Sequence, residues 1–407
     1  MIYYGLDELL SLEDKDAYWI MNLTDEQNWN KNSPFPSLLS DTTNLVVQQE
    51  QQLLLLNKKH TVLFQHQPSA QFLTYLKKKG IQIPKIKLVS DFRTYKENSV
   101  IVPFINTESI EKWSEIKGVK VFGSDSSLVK LINNKYWVRE LMLKYGFLTT
   151  KGYFCKGEEE TRKAYTRLSN DSFKKYVLKL PYGSSGKGLF IFKELQEVNS
   201  ILKRNGDNRL LIEGWHESDR QLNTQILIDE NINILSITEQ IINHNAKYLG
   251  TNFTPTYKKE ILDNYKSKIW DIAEIIKNLG YKGVLGIDSI LDREGNLYPA
   301  IEINARFTQV SYLTSLIKNI DKKYIESRTV DLFSKTKRSF NELNIQLDKL
   351  LSRHGFNYTI YTFAESFTGS KYLYRIYVLF YTDYQVLLNS QIELFYNYIR
   401  GGLLWTI

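Results

Sequence analysis

Residues 286–306 comprise Gly286-Ile287-Asp288-Ser289-Ile290-Leu291, the turn Asp292-Arg293-Glu294-Gly295-Asn296, and, after Leu297-Tyr298-Pro299, the run Ala300-Ile301-Glu302-Ile303-Asn304-Ala305-Arg306. Branched apolar residues alternate with polar ones on both sides of a glycine-containing turn, a pattern that predicts an antiparallel β-hairpin. On the second arm, period-two alternation sets Glu302, Asn304 and Arg306 on one face and Ile301, Ile303 and Ala305 on the other. With the turn centred on Gly295, Asp288 lies opposite Glu302. Directly opposed side chains have Cβ atoms about 5 Å apart, so two carboxylates there repel unless a cation lies between them. Two carboxylates and an amide oxygen form a hard-oxygen set suited to Mg²⁺ held on phosphates. A hairpin whose outer face is merely polar would show the same alternation, so support must come from elsewhere in the chain.

That support lies upstream. Tyr176-Val177-Leu178-Lys179-Leu180-Pro181 has strand character, Gly183-Ser184-Ser185-Gly186-Lys187-Gly188 is a glycine-rich loop, and Leu189-Phe190-Ile191-Phe192 returns as a second strand. Glycines let backbone N–H groups approach phosphate oxygens, and lysines add compact positive charge. The loop is not a Walker A element, because only Ser184 and Ser185 separate Gly183 from Gly186-Lys187. Leu210-Leu211-Ile212-Glu213 and Thr224-Gln225-Ile226-Leu227-Ile228 are further predicted strands, and 261–279 is an amphipathic helix closed by Gly280. Trp137, Val138, Leu141, Met142 and Tyr145 recur at helical spacing up to Gly146, with Lys135 in the first turn.

Toward the N-terminus, Thr61-Val62-Leu63-Phe64, Ile86-Lys87-Leu88-Val89, Val100-Ile101-Val102-Pro103-Phe104 and Val119-Lys120-Val121-Phe122 alternate with helical stretches at 69–79 and 107–117. This βαβ rhythm predicts a Rossmann-like parallel-sheet domain, and the absence of a GxGxxG element leaves a dinucleotide role unsupported. After about 330 a tyrosine-rich tail (Tyr372, Tyr374, Tyr377, Tyr381, Tyr384) predicts a small C-terminal domain whose tyrosines build a sheet face.

The order lysine strand, glycine loop, acidic hinge and Asp…Glu-x-Asn-x-Arg hairpin resembles the ATP-grasp superfamily from about Ser127 to Leu316. The resemblance implies a Rossmann-like pre-ATP-grasp domain (1–125), an ATP-grasp domain (126–325) and a small C-terminal domain (326–407), an α/β and α+β architecture. Carried over, Lys135 and Lys179 contact ATP phosphates, and Gly183, Ser184, Ser185, Gly186, Lys187 and Gly188 close over them. Glu213, Gly214, Trp215 and His216 form the hinge beside adenine and ribose. Asp288, Glu302 and Asn304 hold Mg²⁺, with Mn²⁺ as the alternative ion, and Arg306 acts with Lys179 on the transferring phosphoryl. Asp288 stands where many members have Glu, and Gly214 and Trp215 where many have a basic and an aliphatic residue. The implied activity is an ADP-forming carboxylate–amine ligase working through an acyl phosphate.

Val121-Phe122-Gly123-Ser124-Asp125, Asn134-Lys135, Thr238-Glu239-Gln240, Tyr248-Leu249-Gly250 and Gly401-Gly402-Leu403-Leu404 are similar to peptide and amino-acyl ligases of natural-product pathways. That similarity implies an amino acid or peptide as carboxylate and an amine, or a carrier-protein thiol, as acceptor. The rivals are a phosphotransferase on the same scaffold and a non-catalytic nucleotide-binding protein.

The remaining composition narrows the field. The formal charge of +8 (53 basic and 45 acidic residues) is spread along the chain and singles out no nucleic acid. One cysteine, Cys155, excludes an internal disulfide and a cysteine metal cluster, and it is expected to pack as a small hydrophobe. His216, His244 and His354 have no metal-ligand spacing. No apolar run reaches the roughly 20 residues of a membrane span and the N-terminus has no signal-peptide pattern, so a cytoplasmic location is expected.

Overall fold

The structure, a computed structural model, describes residues 1–10, 12, 16–26, 29, 43–92, 99–183, 188–243, 247–351 and 355–400. Its first sheet contains β1 (Ala17–Ile20), β2 (Thr61–Phe64), β3 (Lys85–Leu88), β4 (Val100–Pro103) and β5 (Lys120–Val121). They run parallel in the order β3-β2-β1-β4-β5. The sequence pattern identified four of these strands and missed β1, the central one. A parallel strand is covered on both faces, so it shows no alternation, and β1 is four residues long with all four buried.

A second sheet is formed by β6 (Gly152–Lys156), β7 (Tyr176–Lys179), β8 (Leu189–Phe192) and β9 (Arg209–Gly214), in the order β6-β9-β7-β8. The expected hairpin around the glycine loop is present, with Lys179 opposite Leu189. Cys155 packs in the core beneath this sheet beside Leu168, Leu178 and Ile212, and burial pushes its thiol up to about 11, which keeps it protonated and inert.

The third sheet has eight strands: β10 (Ser218–Ile228), β11 (Ile232–Ile242), β12 (Tyr248–Asn252), β13 (Gly283–Asp292), β14 (Leu297–Asn304), β15 (Tyr324–Ser334), β16 (Asn357–Phe367) and β17 (Tyr372–Thr382). Their antiparallel order is β14-β13-β10-β11-β12-β15-β17-β16. The amphipathic helix Lys259–Asn278 buries Tyr265, Ile269, Ile272, Ala273 and Ile276.

In the tyrosine-rich tail, β15–β17 do not form a sheet of their own. They continue the central sheet through β12, so 326 divides the sequence pattern and not the hydrogen-bonded structure. The junction depends on Gly250, where an added Cβ would collide with the Ser327 carbonyl. Nor do the tyrosines share one face: alternation along β17 puts Tyr372 and Tyr374 on one side and Tyr377 and Tyr381 on the other. The architecture is nevertheless the expected α/β and α+β one, a parallel-sheet N-terminal unit followed by antiparallel sheets.

Candidate active site

Strand register places the two hairpin carboxylates as the alternation implies, with Asp288 directly opposite Glu302 and Gly286 opposite Asn304. Both acids line a cavity of about 870 Å³ bordered by residues of the four-stranded and the eight-stranded sheets. Three amides converge on Asp288. Asn223 and Gln240 each donate to Oδ1 at 2.6 Å, and Asn304 donates to Oδ2 at 3.1 Å. Burial and the neighbouring Glu302 charge still push the Asp288 carboxyl up to about 7.

The donor set fits a hard dication. Two opposed carboxylates in a buried site repel, and a cation between them removes both the repulsion and the desolvation cost. Among the described residues no group of three or more His, Cys, Asp and Glu side chains gathers into a metal cluster. Because the Asp288 carboxyl is raised, it holds a proton below about pH 7 and competes with the cation there. The affinity for Mg·ADP should therefore level off above about 7 and fall below it, by up to about tenfold per pH unit. Calorimetric titration from pH 5.5 to 8.5 checks this. Asp288→Asn should bind weakly with a flat profile.

Lys179 at the end of β7 and Arg139 on the helix Lys135–Lys144 both pair with Glu213 of β9. Lys179 Nζ lies 2.6 Å from Oε2, and Arg139 Nη1 lies 2.8 Å from Oε1. Burial alone would raise the Glu213 carboxyl, but Lys179 and Arg139 outweigh it and hold the group below its ordinary value. Glu213→Ala strands two cations, so unfolding free energy should drop by about 3–5 kcal/mol. The expected readout is a lower urea midpoint at unchanged slope.

Gly214, Trp215 and His216 follow Glu213 along the cavity wall. A Cβ on Gly214 would run into the Phe173 ring. His216 accepts a hydrogen bond from the Lys151 N–H at Nε2 (3.0 Å), and burial lowers its pKa, so the imidazole is neutral. Lys135 is buried, 2.9 Å from Glu302 Oε1 and donating to the Gly183 carbonyl at 2.6 Å. It thus joins the glycine loop to the hairpin carboxylate. Gly183 and Gly188 flank that loop, and Ser184, Ser185, Gly186 and Lys187 lie outside the described residues.

Arg306 is buried and held from three sides. Nε donates to Glu26 Oε2 at 2.9 Å, Nη2 to Asn304 Oδ1 at 2.7 Å and Nη1 to the Phe307 carbonyl at 3.2 Å. The Phe104 ring lies 5.1 Å from Cζ. Glu26 and Phe104 come from the parallel-sheet unit, so residues 280 and 202 positions upstream aim this guanidinium.

Sequence reasoning singled out Lys135, Lys179, Glu213, Asp288, Glu302, Asn304 and Arg306, and the structure links them into these neighbouring pairs. It missed Arg139, Asn223 and Glu26. Asn223 sits among Gln221, Thr224 and Gln225 on the polar half of β10, so its sequence neighbourhood does not single it out. Glu26 has no local signal, because its partner is distant in sequence.

A family model for the ATP-grasp domain matches residues 145–310. With these paired carboxylates, lysines and glycine loop on two antiparallel sheets, the chain belongs to the ATP-grasp family and is an ATP-dependent ligase. It is 36% identical over 384 residues to the [butirosin acyl-carrier protein]–L-glutamate ligase of Niallia circulans, covering 90% of this chain and 91% of that one. It is 26% identical over 227 residues to the 2-oxoglutarate carboxylase small subunit of Hydrogenobacter thermophilus, covering 53% and 46% of the two chains. Among solved structures, an ADP complex of N5-carboxyaminoimidazole ribonucleotide synthetase superposes over 98% of this chain and 99% of its own, with a TM-score of 0.59 and 14% identity. Phosphoribosylamine–glycine ligase from Thermotoga maritima superposes over 93% and 96%, with a TM-score of 0.55 and 13% identity. Among the described residues no helix is long and apolar enough to cross a membrane.

Proposed function

We propose that this ligase activates the carboxylate of an amino acid as an acyl phosphate and transfers the acyl group to the thiol of a carrier protein. The observation that carries the first half is the Asp288/Glu302 pair on the cavity wall, with Arg306 lining the same cavity just past the end of β14. Support for the acceptor comes from the relative of 36% identity, whose name pairs L-glutamate with an acyl-carrier protein. This reading moves the thiol ahead of the amine that sequence resemblance put first.

Asp288, Glu302 and Asn304 would hold Mg²⁺ on the nucleotide phosphates. When bound, that ion neutralises charge on the phosphoryl group being transferred. Lys179, with Lys135, supplies positive charge beside the phosphates, and the hinge Glu213–His216 borders the adenine and ribose. The substrate carboxylate attacks the γ-phosphorus, ADP departs, and Arg306 faces the acyl phosphate. Positioning and fixed charge carry most of the rate, so no protein nucleophile is needed.

ADP release should be measured with L-glutamate and other amino acids in the presence of hydroxylamine and, separately, of a phosphopantetheinylated carrier protein. A hydroxamate in the first case and an acylated carrier in the second are expected. A phosphorylated end product would point to a phosphotransferase, and ADP with free phosphate but no acyl product would sink the acyl-transfer reading.

A further inference from the structure

Lys135 is the first residue of the helix Lys135–Lys144, which is capped by the Asn134 side chain. A cation there stands at the wrong end of the helix dipole, whose N-terminal partial charge is positive. The side chain is nonetheless buried, only 4% exposed. What holds it lies outside the helix. Nζ is 2.9 Å from Glu302 Oε1 and donates to the Gly183 carbonyl at 2.6 Å, while the Lys135 backbone N–H donates to the Pro181 carbonyl at 2.8 Å. The ammonium is thus set beside a carboxylate that directly opposes Asp288.

The other oxygens proposed for the metal are engaged as well. Asp288 Oδ1 accepts from Asn223 and Gln240, Asp288 Oδ2 from Asn304, and Asn304 Oδ1 from Arg306. The donors to Asp288 are neutral amides, whereas the donor to Glu302 carries a full charge. A Mg²⁺ ion on Glu302 Oε1 at the usual ~2.1 Å would sit no more than about 5 Å from the Lys135 ammonium. Like charges that close repel strongly where little water screens them. A free dication therefore meets a carboxylate that is already neutralised and a cation that has to give up its partner. A nucleotide alters both conditions together, because its phosphate oxygens offer the ammonium a new partner.

We propose that Lys135 is an internal counter-cation that keeps free divalent ions off the hairpin carboxylates and lets them in only with a nucleotide, by moving from Glu302 to the phosphates. The proposal rests on the reading of Asp288 and Glu302 as the metal carboxylates and adds a binding order to it. The flexible four-carbon stem allows the exchange while the backbone N–H stays on Pro181.

The test uses Mn²⁺ as the probe, at pH 8, where the Asp288 carboxyl is ionised. Binding of Mn²⁺ alone is followed by the electron paramagnetic resonance of the free ion, and binding of Mn·ADP by calorimetry. Lys135→Gln should tighten Mn²⁺ alone by about tenfold or more, because the repelling charge is gone. The same substitution should weaken Mn·ADP by about tenfold, because a charged contact to phosphate is lost. Opposite signs are the signature, since a merely structural bridge would lower both affinities or neither. Lys179→Gln is the control. Lys179 pairs with Glu213 and not with the hairpin, so its loss should weaken Mn·ADP without letting in Mn²⁺ alone. Lys135→Arg keeps the charge, covers the case that the glutamine variant does not fold, and should bind Mn²⁺ alone no better than wild type. No gain for Mn²⁺ in Lys135→Gln, or a tenfold gain in Lys135→Arg, would overturn the counter-cation and leave the metal carboxylates in place. A gain that persists in Lys135→Gln/Glu302→Gln would put the ion elsewhere, and the hairpin reading would fall with it.

Discussion

Replacing Glu302 with glutamine should reduce kcat for carboxylate-dependent ADP release by about 10²–10³-fold, a loss like that of one preorganised electrostatic contact at a reacting group. The substitution keeps the side chain's volume and an oxygen for Lys135, whose ammonium also keeps the Gly183 carbonyl. The melting temperature should therefore stay within a few degrees of wild type, and the loss should appear in turnover. Glu302→Gln also removes the like charge that raises Asp288, so the Asp288 carboxyl should ionise at lower pH in this variant. Whatever Mg·ADP affinity remains should accordingly begin to fall at a lower pH than in wild type. Near-normal turnover with Mg²⁺ would show that the hairpin carboxylates do not serve the nucleotide.

The second large effect is expected at Arg306. Arg306→Ala should lose hydroxamate formation by about 10²–10³-fold while changing the Kd for Mg·ADP much less, because under the proposed function the guanidinium serves the acyl phosphate. Arg306→Lys keeps the charge but lacks the planar fork that Glu26, Asn304 and Phe307 hold, so it should recover little of the loss. Glu26→Gln tests the aim itself. It should lower kcat with the ATP KM unchanged, and it should cost far less when introduced into Arg306→Lys. Equal losses in both backgrounds would make Glu26 a structural residue only. Parallel loss of ADP affinity and hydroxamate in Arg306→Ala would place the arginine at the nucleotide instead.

The hairpin was legible because its information is local. A period-two pattern around Gly295 is enough to oppose Asp288 and Glu302, and the structure has that register. The glycine loop between two apolar strands was legible for the same reason, as were four of the five parallel strands. Strand β1 was not, since a short strand buried on both faces carries no alternation. The tail was misjudged in its pairing. Tyrosine content points to a sheet in the tail, but which edge its strands join depends on whether another backbone can approach β12, and Gly250 permits it.

The sequence by itself therefore determined the family, the order of its elements and the two opposed acids, because alternation and turn chemistry are properties of neighbouring residues. Only the tertiary structure decided how those groups are charged and aimed. Asp288 is raised by burial and by a carboxylate on the adjacent strand. Arg306 is oriented by Glu26, 280 residues away. Asp331 and Arg375 line the same cavity from β15 and β17. Each of these depends on desolvation and on contacts between distant segments, and both exist only once the chain has closed on itself.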